Sequence, residues 1–91
     1  MMRTIMVVFT KTAIDYSEAI TKTGYAYNTD ADVKVNDLLT SVDIRGKIQV
    51  VSILDTVYNF VTKEDKTLLV LDDGVTPVFP IKVINVNAIT T

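Results

Sequence analysis

The chain has 91 residues, a formal charge of −2, and no histidine, cysteine or tryptophan. That length fits a single domain, residues 1–91, with one core. The missing residue types exclude a His-dependent triad, a thiol nucleophile, an ordinary zinc site and any disulfide, so stability must come from packing.

Apolar residues make up 48% of the chain. Many are Val and Ile, which are stiff at χ1 and suit a pleated surface, as does the frequent Thr. In chain order, Thr4 to Lys11 reads as the first strand, β-branched and apolar between polar flanks. Its apolar run, Ile5 to Phe9, is too short for a signal-peptide core, and no small-residue cleavage site follows. No run approaches the roughly 20 apolar residues of a membrane span, so no membrane role is expected.

Thr12 to Ile20 has two readings. Thr12 and Asp15 would cap a short helix, or Tyr16 to Ile20 would open a long second strand after a turn at Thr12–Asp15. The strand is the preferred reading, continuing through Tyr27 with a bend or bulge at Gly24. Alternation places Tyr25 and Tyr27 on one face.

Asn28 to Asp32 is rich in side chains that bond their own backbone and reads as a turn. Asn36 is placed to adopt positive φ, with Asp37 tying that turn down. Leu38 to Val42 is the next strand, Asp43 to Lys47 a loop, and Lys47 to Leu54 the strongest central strand. Thr56 to Thr62 continues or re-enters the sheet. Lys63 to Lys66 is a charged hairpin loop, Leu68 to Leu71 a strand, and Asp72-Asp-Gly74 a turn. Pro77 and Pro80 confine Val78 to Val83 to an edge or bulged strand. The tail from Asn85 is polar, with Val86 and Ile89 as anchors. Short strands with turns every 8–12 residues point to an all-β, mainly antiparallel barrel of about six strands, with at most one short helix over residues 12–20.

Tyr25-Ala-Tyr27, a polar gap, Val33-Lys-Val-Asn-Asp-Leu38 and then Ile48-Gln-Val-Val51 together resemble the small SH3-like barrel proteins of tailed bacteriophages. Asn36 stands where their turn has Gly, and both residues accept positive φ. The resemblance covers about a third of the chain. It implies an SH3-like barrel acting in the cytoplasm of an infected bacterial host. It implies no particular activity, since such barrels serve as nucleic-acid binders, adaptors and inhibitors alike.

General acid–base work here would fall to Asp, Glu, Lys or Tyr, and so small a barrel has little room for a deep, dry pocket. The chain is therefore expected to be no enzyme and to need no cofactor or metal. The acidic pairs and clusters, such as Asp30, Asp32 and Asp37, read as turn residues. Arg45-Gly46-Lys47 is the one local basic segment. Gly lets a ligand approach the backbone, and Arg offers a planar fork for phosphate. Tyr25, Tyr27 and Tyr58 are candidate stacking surfaces, with core or rim packing as the competing role. The expected ligand-binding set is thus Tyr25, Tyr27, Arg45, Gly46, Lys47 and Tyr58.

The expected function is that of a non-catalytic phage accessory protein that binds and neutralises a host factor. The factor would be either a host protein or a nucleotide-like signal held by a homo-oligomeric sponge. Self-association is expected because so short a chain struggles to hide its apolar residues and edge strands pair. A nucleic-acid-binding barrel is the alternative, disfavoured by the acidic balance; a virion or assembly component is another.

Overall fold

A computed structural model of the protein describes residues 1–54, 57–58, 60–62, 68–69 and 78–90. The elements in order are β1 (Arg3–Phe9), α1 (Tyr16–Ala19), β2 (Tyr25–Thr29), β3 (Leu38–Ser41) and β4 (Ile44–Ile53). They continue with β5 (Phe60–Thr62), β6 (Leu68–Leu69), β7 (Val78–Pro80), β8 (Lys82–Val83) and β9 (Val86–Thr90). Six strands form one sheet in the order β8-β2-β1-β4-β3-β9, and β6-β5-β7 form a second. The fold is mostly β, as expected, with the larger sheet curled into a half-barrel. The charged segment Lys63 to Lys66 and the Asp72–Gly74 turn lie outside the described residues.

The curl follows from one connection. β8 lies parallel on the free edge of β2, and β9 lies antiparallel on the free edge of β3, at opposite ends of the sheet. Only Ile84 and Asn85 separate them, so Val83 and Val86 stand at most about 10 Å apart along the chain. Both sheet edges must therefore come together under one short segment. The Ile84 N–H donates to Asn28 O (2.9 Å) and the Ser41 hydroxyl to Asn85 O (2.5 Å). The β3–β4 turn at Val42-Asp43 clasps the same segment: the Asn85 N–H donates to Asp43 Oδ2 (2.8 Å), and Lys82 Nζ to Asp43 O (2.7 Å).

Inside the curl, Ile5, Val7, Val33, Leu39, Ile48, Val50 and Ile84 form one buried cluster. Residues directly opposite in an antiparallel pair share a face. The pairings Val7↔Val50 and Leu39↔Ile48 therefore carry the alternation of three strands to the same side. Each such side chain contributes about 1.5–3 kcal/mol by leaving water. Ile84 completes this core, although in the sequence it falls between the Val78–Val83 edge and the polar tail from Asn85. Ile89, expected as an anchor, is exposed, while Val86 packs on the core.

The opposite face of β1 is covered by two segments held by polar side chains. The Gln49 amide is fully buried and makes a reciprocal pair with the backbone of Ile14: Ile14 N–H to Oε1 at 2.9 Å, Nε2 to Ile14 O at 2.8 Å. That contact lays residues 10–24 across the face. There the chain forms one helical turn rather than the preferred strand. Asp15 O accepts from Glu18 and Ala19 N–H, and Ala19 is buried. With its backbone pinned at Ile14 by a side chain, the segment has no strand to pair with, and local bonds take over. At the other end, Thr4, Asn28 and Tyr58 form a second tie. Thr4 Oγ1 donates to Asn28 Oδ1 and accepts the Tyr58 N–H (2.8 Å), and Asn28 Nδ2 donates to Tyr58 O (2.9 Å). Asn28 and Thr29 are thus buried strand residues paired with Thr4 and Arg3, not the start of a turn.

Asn36 has φ +78, as its expected left-handed turn requires. Asp37 closes that turn by accepting the Lys34 N–H at Oδ2 (2.9 Å). Gly24 precedes β2 rather than bending it.

Candidate functional site

The basic segment Arg45-Gly46-Lys47 is not a loop. It lies within β4, and the turn comes earlier, at Val42-Asp43. Thr40 opposes Lys47 and Ser41 opposes Ile44, so Arg45 and Gly46 are unmatched residues of a bulge. Gly46 has φ +91, a conformation that L side chains rarely adopt, which explains a glycine there. A Cβ at 46 would meet nothing within 4 Å, so the requirement is conformational rather than steric. The bulge leaves the start of β4 open to solvent: Arg45, Gly46 and Lys47 are all exposed.

β4 runs antiparallel to β1, with Phe9 opposite Ile48 and the Thr10 N–H bonded to Lys47 O (3.2 Å). The end of β1 and the start of β4 therefore lie side by side. Phe9, Thr10, Lys11, Lys22, Gly46 and Lys47 line a shallow concavity of ≈ 340 Å³ at this end of the barrel. Lys22 arrives because residues 10–24 are laid across the outer face by Gln49, bringing the chain back toward the start of β2. Among the described residues the only ion pair is Arg3–Asp32 (3.8 Å). Lys11, Lys22 and Lys47 thus form a local cationic rim with no carboxylate bridge among those residues, on a chain of net charge −2. Like charges around one depression repel, and a bound anion relieves that repulsion.

The tyrosines divide. Tyr25 and Tyr27 share a face, as expected, opposite the core residues Val7 and Ile5. Tyr25 is at the barrel end, where its ring meets Phe9 edge to face, centroids 5.2 Å apart and planes at 77°. Through Phe9 it backs the concavity. Tyr27 lies further in and packs against the core. Burial, then the neighbouring Tyr25, push its phenol above the ordinary value of 10.0. Tyr58 is held through its backbone at Thr4, five residues along β1 from Phe9, or about 16 Å. Of the six expected residues, Gly46 and Lys47 line the concavity and Tyr25 supports it. Arg45 adjoins Gly46 without lining the concavity, Tyr27 packs against the core, and Tyr58 is elsewhere.

Sequence reasoning missed Lys11 and Lys22. The signal that finds them is pairing arithmetic. Once Val7 is opposite Tyr25 and Phe9 opposite Ile48, residues just after β1, before β2 and at the start of β4 must gather at one end.

Among the described residues no helix is long and apolar enough to cross a membrane. No protein-family model, curated protein or solved structure matches this chain.

Proposed function

We propose that this chain is a non-catalytic binding protein that neutralises a host factor, and that the factor is a phosphate-bearing, nucleotide-like ligand held at the Lys11–Lys22–Lys47 concavity. The observation that carries the reading is the convergence of three lysines from three separate segments beside the open bulge at Gly46. Lysine is a compact cation suited to phosphate as a point charge, and the bulge lets a ligand approach the backbone. The phage-like resemblance of residues 25–54 supports action in the cytoplasm of an infected bacterial cell. Self-association belongs to the same proposal: β9, at the sheet edge, runs Val86-Asn-Ala-Ile-Thr90 without a charge to discourage pairing.

The test is a thermal-shift series with mono-, di- and cyclic nucleotides, pyrophosphate and short oligonucleotides. A ligand at 100 times its Kd adds about 2.7 kcal/mol, a rise of more than ~10 °C for a domain near this size. The double substitution Lys11→Gln/Lys47→Gln, at exposed positions, should abolish that rise without lowering the unliganded Tm. Absence of a shift with every phosphate compound would remove the reading and leave a host-protein partner. A shift confined to oligonucleotides, with an affinity falling steeply in salt, would replace it with the nucleic-acid alternative.

A further inference from the structure

A second depression, of ≈ 320 Å³, opens on the outer face of the sheet between α1 and strands β1 and β4. Its walls include Met6, Val8, Tyr16, Ile20 and Val51. Tyr16 and Ile20 are one helical turn apart, the Ile20 N–H bonded to Tyr16 O (3.0 Å), so they stand on the same side of α1. They are 47% and 54% exposed, a large share for an aromatic and a branched aliphatic side chain placed together. Gly24 also borders the depression; a Cβ there would come within 3.3 Å of Met6 Cε, so the glycine makes room for the methionine. Methionine is unbranched and polarisable, and adapts to a flat ring laid against it.

Lys22 lines both depressions. One side of it is cationic, shared with Lys11 and Lys47; the other is apolar and aromatic. We infer that the two are halves of one site and that its occupant is a nucleoside phosphate. The phosphate lies among Lys11, Lys22 and Lys47, and the base lies against Tyr16, Ile20 and Met6. The inference rests on the nucleotide-like reading above and adds to it a place for the base and the side chains that hold it. A bare anion has no use for the second depression, and an uncharged aromatic has none for the lysine rim. A base joined to a phosphate uses both, with Lys22 at the junction. Base stacking on an aromatic side chain tolerates any base, so the site selects for the class before the identity of the base.

Isothermal titration with two probes, inorganic phosphate and adenosine monophosphate, tests this on the full chain and on two single variants, Ile20→Ser and Tyr16→Ser. Both positions are solvent-exposed, so the fold tolerates either change. The expected result is that the nucleoside monophosphate binds roughly tenfold more tightly than inorganic phosphate, and that each variant removes most of this margin while inorganic phosphate binding is unchanged. Equal affinity for the two probes, untouched by either variant, overturns the inference and leaves the anion site standing. Loss of both probes together in both variants also overturns it, since α1 would then serve only to position Lys22. Binding of neither probe to the unmodified chain removes this inference and the reading beneath it together.

Discussion

On the inner face of β1, Ile5 and Val7 join five other buried aliphatic side chains from β3, β4 and the segments at Val33 and Ile84. On its outer face, Thr4 and Val8 are equally buried, yet each end is covered by a chain segment tied through polar side chains, Gln49 at one end and the Thr4–Asn28 pair at the other. The inner face is collective: many contacts, each replaceable by a neighbour of similar volume. The outer face depends on single points, Gln49 for residues 10–24 and the Thr4–Asn28 pair for Tyr58. Segments held this way open locally, at lower free energy than the core they cover. Two of the three lysines of the proposed site, Lys11 and Lys22, ride on the segment that Gln49 holds.

The strongest attack on the inner face is Leu39→Ala. It should cost about 2–5 kcal/mol, read as a lower urea midpoint with all amide probes unfolding together. Next comes Gln49→Leu, which keeps the bulk and leaves the Ile14 N–H and C=O without their partner. About 2 kcal/mol is expected for such stranded groups. The comparison predicts where that loss appears: hydrogen exchange over residues 11–22 should rise well before exchange in β1 and β4. A uniform rise across the sheet would show instead that the two faces form one cooperative unit.

A smaller change tests the Asn36 turn, which joins the core by donating its N–H to Val50 O (2.8 Å). Asn36→Ala should lose about 1 kcal/mol through its positive φ, while Asn36→Gly should be nearly neutral. If the glycine variant is as damaging as the alanine one, the asparagine side chain rather than backbone conformation is what the turn needs.

The smallest effect concerns Tyr27. Its phenol titrates above 10.0 when folded, chiefly from burial. The neutral form is favoured by folding, so this contribution is complete below pH 10 and is lost as pH rises through the folded value. Tyr27→Phe should flatten the fall in stability above pH 10 and change little at pH 7. A fall equally steep in the variant would assign the alkaline sensitivity to other groups.

Much of the inner face was legible in the residues. The β-branched apolar run in Thr4 to Lys11 and the strand pattern of Lys47 to Leu54 announce the strands, and Asn36-Asp37 announces its turn, because these patterns are local. What escaped depends on contacts between distant segments. The helical turn at Tyr16–Ala19 exists because Gln49, 35 positions from Ile14, takes up the backbone bonds there. The Arg45-Gly46 bulge looks like a loop until its register with Thr40 and Ser41 is known. At the concavity, Gly46 and Lys47 belong to a basic segment legible in the sequence, but Lys11 and Lys22 join them only through strand order, and Tyr58 lies away from them for the same reason.

The short segment at Ile84-Asn85 also sets an order in time. Its bonds to Ser41 and Asp43 span 44 and 42 positions, and long loops lose more chain entropy when they close. The β3–β4 hairpin, whose pairs are local, is expected to form first, and closure of the barrel to follow. Folding in milliseconds to seconds is the range for such non-local pairing. Substituting Asp43 by Ala should then speed unfolding and leave the folding rate nearly unchanged, the signature of a contact made after the barrier is crossed.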